Sequence, residues 1–87
     1  IDVHAGSGDP QLTFSSPTAR DYSIGQDISE NSFKISENSA VGTSDRFIIT
    51  DGGFVGIGAT NANIAARLEV QQSAGTPIVQ LRPSETI

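Results

Sequence analysis

Residues 46–58 constrain the fold of this chain more than any other part of its sequence. Four β-branched or aromatic residues follow Arg46, the sequence Asp51-Gly52-Gly53 comes next, and apolar residues then return at 54–57. Aspartate and glycine tolerate the positive φ angles that a tight hairpin turn needs. The sequence therefore predicts a β-hairpin over residues 46–58, with Asp51, Gly52 and Gly53 in its turn.

The second half of this hairpin alternates apolar residues with glycine. Val55 and Ile57 share one face of the predicted strand, whereas Gly56 and Gly58 leave the other face without side chains. Glycine weakens an isolated strand, so two glycines at a spacing of two indicate that another backbone approaches closely. We expect that backbone to belong to a neighbouring chain.

The rest of the chain alternates in the same way over short stretches. The alternation is clearest at 32–36, where Phe33 and Ile35 share a face and Lys34 lies on the other. About seven short strands are predicted in all, in a fibrous or small sandwich-like all-β segment. Outside the hairpin, these strands lie at 11–14, 22–25, 32–36, 68–70 and 77–81, with Pro77 at the first position of the last one.

The chain reads as one structural unit with three regions. Residues 1–10 form a linker or a short edge strand at 1–3, residues 11–58 form the strand and hairpin region, and residues 59–87 hold a turn and the C-terminal strands. Within 59–87, residues 63–67 could make a short helical turn that Asn61 or Asn63 would cap. The first residue is not methionine and the chain stops abruptly at Ile87, which suggests a fragment or a processed form.

A chain of 87 residues can bury only a small core on its own. It has no cysteine, so disulfides and zinc thiolates cannot reinforce that core, and oligomerisation is the usual remaining solution. We therefore expect a self-assembling chain, with a homotrimer as the favoured state. The residues proposed to pack between chains are Phe33, Ile35, Val55, Gly56, Ile57, Gly58, Leu68 and Val70.

The composition argues against several classes of partner. The net charge is −5 and the five basic residues are scattered, which argues against a surface for nucleic acid or anionic membrane. No apolar run approaches the roughly 20 residues of a membrane span. We therefore expect neither a nucleic-acid partner nor a transmembrane segment.

No catalytic or cofactor site can be assembled from the sequence. His4 is the only histidine, there is no cysteine, and no calcium-binding loop motif is present. Asp27, Asp45 and Asp51 lie in polar turns, where aspartate has an ordinary structural role. The pair Gly56 and Gly58 lacks the third glycine and the β-α-β setting of a dinucleotide site. We therefore predict no enzymatic activity, no metal and no cofactor.

The segment Asp51-Gly-Gly-Phe-Val-Gly-Ile-Gly-Ala-Thr-Asn-Ala62, continued by Arg67-Leu-Glu-Val70, resembles a motif of bacteriophage tail fibres and tailspikes. That motif reads Gly-Asn-Val-Gly-Ile-Gly-Thr-x-x-Pro, followed by Leu-x-Val, and often precedes an intramolecular chaperone of the endosialidase type. Residues 21–25, 31–36 and 48–50 are similar to what precedes it. Here Phe54, Ala59 and Ala62 replace the usual Asn, Thr and Pro, so the turn at 59–63 is less rigid than in the family.

The resemblance covers about residues 21–70 and implies a trimeric, β-rich fibre segment on a virion that supports host attachment. Other tail or fibre proteins would then be partners, and the location would be the virion or an extracellular surface. Two alternatives remain open. The first is a module that binds a host glycan through loops 26–31 and 37–45 with Tyr22. The second is a self-polymerising surface filament that pairs through an edge at 1–3 or 77–81.

Overall fold

The computed structural model describes residues 1–72, 75 and 78–83, and its strands form a single open sheet. Six strands follow one another across this sheet in chain order, and no helix is present in the described residues. The predicted all-β class is therefore confirmed, with six strands rather than about seven. The strands are β1 (Gln11–Phe14), β2 (Tyr22–Asp27), β3 (Ser32–Ser36), β4 (Asp45–Ile49), β5 (Val55–Ile57) and β6 (Leu68–Val70).

Neighbouring strands from β1 to β5 are antiparallel, and β5 and β6 are parallel. Short polar turns connect the antiparallel strands, as expected for a meander whose strands are adjacent in sequence. Residues 58–67 make the longer connection that a parallel pair requires. The sheet is therefore a five-stranded meander with one crossover strand added at its edge.

The predicted hairpin is formed by β4 and β5, with Ile49 opposite Val55. The Gly53 N–H donates a hydrogen bond of 3.0 Å to the Thr50 carbonyl, and the Thr50 N–H donates to the Phe54 carbonyl at 2.9 Å. Within the turn, Gly53 has a φ of 86°, whereas Asp51 and Gly52 stay outside the positive region. The turn therefore needs glycine at one position of the Asp-Gly-Gly sequence.

The hydrophobic core lies between the sheet and the connection from β5 to β6. Ile48 on β4 is fully buried against Ala59 and Ile64 of that connection, with Phe54 and Ala62 packed beside them. This core is small, as expected for a chain of this length. It occupies only one side of the sheet.

The helical turn predicted for residues 63–67 is wrong. The Asn63 N–H donates to the side-chain oxygen of Asn61 at 2.8 Å, and the Ile64 N–H donates to the Ala62 carbonyl at 3.0 Å. These bonds fold the backbone into tight turns that bring Ile64 into the core. Asn61 thus acts as a turn former, which is a second common use of a residue that also caps helices.

The two ends of the chain contain no strand in the described residues. Residues 1–10 lie outside the sheet, so the edge strand suggested for 1–3 does not form, and their role as a linker stays a prediction. Pro77 lies outside the described residues, and residues 78–81 form no strand, contrary to the prediction for 77–81. The two edges of the sheet are therefore β1 and β6.

Candidate functional site: the open apolar face of the sheet

Cross-strand pairing aligns apolar residues in rows on one face of the sheet. The first row crosses all six strands, since each of its members lies directly opposite the next. It consists of Leu12, Ile24, Ile35, Phe47, Ile57 and Val70. A second row crosses β3 to β6, and Gln26 of β2 lies opposite its first member. It consists of Phe33, Ile49, Val55 and Leu68. Phe14 and Tyr22 add a third pair at one end.

We call these twelve residues, together with Gln26, the open face, because no part of the described chain packs over them as the β5–β6 connection packs over the other side. Several side chains are strongly exposed, including Phe14 and Leu68 at 61% each and Leu12 at 51%. Five strand spacings of ~4.8 Å and strands of ~10–17 Å give this face roughly 300 Å² in projection. The largest apolar patch on a typical monomer covers about 300–600 Å² and is often functional, so this face is the candidate interaction site of the chain.

The open face contains no charged residue. Gln26 and the Tyr22 hydroxyl are its only polar side-chain groups, and both belong to β2, near opposite ends of that strand. A partner for this face must itself be apolar, because a charged or strongly polar partner would lose its hydration without gaining a counter-ion or hydrogen bonds.

Six of the eight residues proposed to pack between chains lie on the open face: Phe33, Ile35, Val55, Ile57, Leu68 and Val70. They form adjacent parts of the two long rows. Their contact with another chain stays a prediction, since the structure contains one chain. The geometry nevertheless brings together residues that are up to 37 positions apart in the sequence.

Gly56 and Gly58 are placed differently from the prediction, because their close neighbours belong to the same chain. A Cβ atom added at Gly56 would lie 2.5 Å from the Ile64 Cδ1 and 3.2 Å from the Ala59 Cβ. At Gly58, where φ is 74°, the added Cβ would lie 2.4 Å from the Gln71 carbonyl oxygen. Gly56 thus leaves room for the connection between β5 and β6, and Gly58 leaves room for the backbone of Gln71, which follows β6.

The other face of the sheet, here called the covered face, contains a buried charged group. Lys34 is 1% exposed, and its Nζ lies 2.8 Å from the Asp27 Oδ2 and 2.8 Å from the Asp45 Oδ2. It also forms an ion pair with Glu30. The Ser36 hydroxyl donates to the Asp45 Oδ1 at 2.9 Å, which holds that carboxylate in place.

This arrangement favours the ionised forms of Lys34 and Asp27. Burial by itself lowers the pKa of Lys34, but hydrogen bonds to Asp27, Asp45 and Glu30 outweigh it and raise the pKa above its ordinary value. Burial raises the pKa of Asp27, whereas its bonds to Lys34 and Ser29 more than compensate and lower it. A charged Lys34 beside a charged Asp27 suits an internal structural ion pair and not a nucleophile or a general base.

Four residues of the first and second rows are absent from the set predicted to pack between chains. Leu12, Ile24, Phe47 and Ile49 lie on the open face in the same way as the residues that were named. The alternation is visible in β1 and β2, whereas Phe47-Ile48-Ile49 of β4 is a continuous apolar run whose two faces are distinguished only by pairing with β3 and β5. Pairing the strands in chain order, with apolar residues opposite one another, would have found them.

Comparisons with protein-family models, with curated proteins and with solved structures found no match to this chain. In the described part of the chain, no group of three or more histidine, cysteine or acidic side chains could hold a metal ion. Nor do the described residues include a helix with the length and apolar character to cross a bilayer.

Proposed function

We propose that this chain is a structural segment of a bacteriophage tail fibre or a related virion appendage. In this role it self-associates through its open face, as a homotrimer, into a β-rich shaft or connector that supports host attachment. The observation that carries the proposal is the uncharged apolar face that runs across all six strands and that the described residues leave largely open.

The physical argument favours a second copy of the chain as the partner of this face. A sheet with one apolar face must bury that face against another layer, and this chain supplies only one layer. Four of the five charged strand residues, Asp27, Lys34, Asp45 and Glu69, lie on the covered face or at its margin. The fifth, Arg46, lies beside the register shift between β3 and β4 and pairs with Glu37. Copies that meet through the open face therefore keep these charges away from one another despite their net charge of −5.

The resemblance to tail fibres and tailspikes supports the choice of appendage. In the shared motif, Val55 and Ile57 lie on the open face, and Leu68 and Val70 pair with them from β6. Gly56 makes room for the connection that brings β6 alongside β5. The residues of the motif therefore form the connection that places β6 beside β5 and extends the apolar rows to the last strand. This role is structural.

The mass of the folded chain in solution tests self-association. Analytical ultracentrifugation or light scattering of the 9.1 kDa chain should give three times the monomer mass. A stable, folded monomer at micromolar concentration would contradict the proposal. Electron micrographs add the symmetry: a closed threefold particle or short shaft is expected, whereas helical filaments would instead support a polymerising surface subunit.

A second candidate function is glycan binding by the same appendage, and one cleft favours it. Phe33 and Ile49 form the apolar part of a cleft of about 290 Å³, and Asn31, Thr50 and Asp51 add polar groups along its border. Sugars commonly stack an apolar ring face on an aromatic side chain and direct their hydroxyls to such groups. The predicted Tyr22 lies elsewhere, at the end of β2.

A glycan array probed with the folded oligomer separates this candidate from a purely structural role. Specific binding that Asp51→Ala or Asn31→Gly reduces at least tenfold would support the cleft. Asn31 has a φ of 50°, so glycine removes its amide without straining the backbone. The absence of any specific glycan signal favours the shaft or connector.

A further inference from the structure

The described C-terminal segment, residues 78–83, is apolar but has no place in the sheet. Ile78 is 54% exposed, Val79 62% and Leu81 91%. Three large aliphatic side chains within four residues are therefore left in water by the single chain. Such a segment gains most from a surface that can receive its side chains.

A groove of about 290 Å³ lies on the open face over β1, β2 and β3. Leu12, Ile24 and Phe33 form its floor, and Val3 and Pro10 of the N-terminal region form part of its wall. Its size is near the lower limit for ligand pockets and suits a few aliphatic side chains. None of the residues that line it is charged.

We propose that residues 78–83 of one copy lie in this groove of a neighbouring copy. This inference rests on the proposed self-association and names the segment that joins the copies. An extended segment directs Val79 and Leu81 to the same side, so both can enter the groove together. Gln80 then points away from the apolar floor.

The order of the strands favours a neighbouring copy over the same chain. The segment follows β6, at the opposite edge of the sheet from the groove. To fill its own groove it would have to cross roughly four strand spacings, or ~19 Å, along its own open face. In a ring of copies related by rotation, however, the β6 edge of one copy can lie beside the β1 edge of the next.

The absence of cysteine from the chain allows a direct test by disulfide cross-linking. A Leu12→Cys protein and a size-tagged Val79→Cys protein are unfolded, mixed, refolded together and oxidised. We expect a disulfide-linked heterodimer at a yield at least fivefold above that of a control mixture of Thr60→Cys with tagged Val79→Cys. Thr60 is exposed and belongs to the connection between β5 and β6, which packs on the covered face of the sheet.

A second measurement compares neighbouring residues of the segment. Val79→Ser combined with Leu81→Ser should raise the concentration at which the assembly dissociates by at least tenfold. Gln80→Ser, the matched control, should leave it unchanged. Equal behaviour of the two variants would overturn the inference.

The outcomes distinguish this inference from the proposal on which it rests. A trimer without the Leu12 to Val79 cross-link overturns the role of the segment and leaves self-association intact. A protein carrying both cysteines that forms only an intrachain disulfide shows that the segment folds back on its own chain. A folded wild-type monomer overturns both proposals.

Discussion

At the scale of single residues, Gly56 shows why one position of the sheet accepts no side chain. It is buried on the covered face, paired with Ile48 on one side and Glu69 on the other, and Ile64 lies over it. A β-carbon at this position requires the connection between β5 and β6 to move. The core of a single chain therefore requires glycine at position 56, whether or not the chain assembles.

We expect Gly56→Ala to destabilise the chain by about 1–3 kcal/mol, the usual cost of overpacking a core. Thermal or urea unfolding measures the change. Gly52→Ala is the matched control, because its added Cβ would meet only the Thr50 hydroxyl at 3.8 Å. Ile64→Val removes the clashing Cδ1 and should lessen the cost of Gly56→Ala; an unaltered cost in this background would contradict the steric explanation.

Lys34 is the other residue on which the covered face depends. Its ammonium is the only cation that contacts the carboxylates of Asp27 and Asp45 in the described residues. Removing one partner from a buried ion pair leaves uncompensated charge, which is far more costly than losing a surface pair. The three carboxylates around it would then repel one another.

We therefore expect Lys34→Met to cost about 3–5 kcal/mol or to prevent folding at neutral pH. Arg46→Met is the control: Arg46 is exposed and pairs with Glu37, so its loss should cost at most about 1 kcal/mol. The cost at Lys34 should decrease in acid, where protonated carboxylates no longer repel. A variant equally unstable at pH 3 and pH 7 would argue against this electrostatic origin.

At the scale of secondary structure, alternation located most strands but could not identify the covered face. The predicted bounds of β3 and β6 agree with the structure, and the β4–β5 hairpin is present. Phe33 and Ile35 nevertheless lie on the open face, while Lys34 between them is buried. Period-two patterns separate two faces, but the choice between them depends on what the distant loops cover.

The incorrect predictions have the same physical origin. Residues 63–67 have acceptable helix propensity, yet tertiary packing of Ile64 against Ile48 and the turn at Asn61 decide their conformation. The two glycines at 56 and 58 both have close neighbours, which are side chains at Gly56 and the Gln71 backbone at Gly58. Their neighbours could not be identified from the sequence, because an intrachain connection and a second chain leave the same pattern.

The β4–β5 turn provides a test of backbone strain alone. Gly53 has a φ of 86°, and a Cβ added there would meet nothing within 4 Å. Gly53→Ala should therefore cost roughly 1–2 kcal/mol through its left-handed backbone conformation. In unfolding experiments, Gly52→Ala, which lies next to it without a positive φ, should change stability much less. Equal effects of the two substitutions would place the strain elsewhere in the turn.

At the scale of the whole molecule, the buried cluster sets the pH range in which the chain is stable. The folded state lowers the pKa of Asp27 from 3.8, so its contribution is present above pH 3.8 and is lost as the pH falls through the lowered value. It raises the pKa of Lys34 from 10.5, so that contribution is complete below pH 10.5 and is lost at more alkaline pH.

We expect a broad plateau of stability between about pH 4 and pH 10 with losses on both sides, measured by urea unfolding at a series of pH values. Asp27→Asn should reduce the decrease in stability on the acid side, because it removes the titrating carboxylate. Asp21→Asn, at an exposed hydrogen-bond acceptor outside the cluster, is the control. If the stability of Asp27→Asn falls in acid as steeply as that of the wild type, groups other than Asp27 cause the loss.

Assembly through the open face makes a prediction that separates folding from association. Ile57 lies in the row that crosses all six strands and is 45% exposed in the single chain, so a lysine there can reach water in the monomer. In an assembly that covers this face, the same ammonium would be buried without a partner, which is strongly unfavourable. Ile57→Lys should therefore abolish the oligomer in sedimentation experiments and leave the strand signal of the circular dichroism spectrum.

Thr60→Lys is the matched control, since Thr60 is exposed in the connection between β5 and β6, away from the open face. Both substitutions change the net charge from −5 to −4, which reduces repulsion between copies. Loss of assembly in Ile57→Lys alone can then be assigned to the face and not to the total charge. If Ile57→Lys sediments as the wild type does, the copies meet through another surface, and the uncovered apolar rows need a different partner.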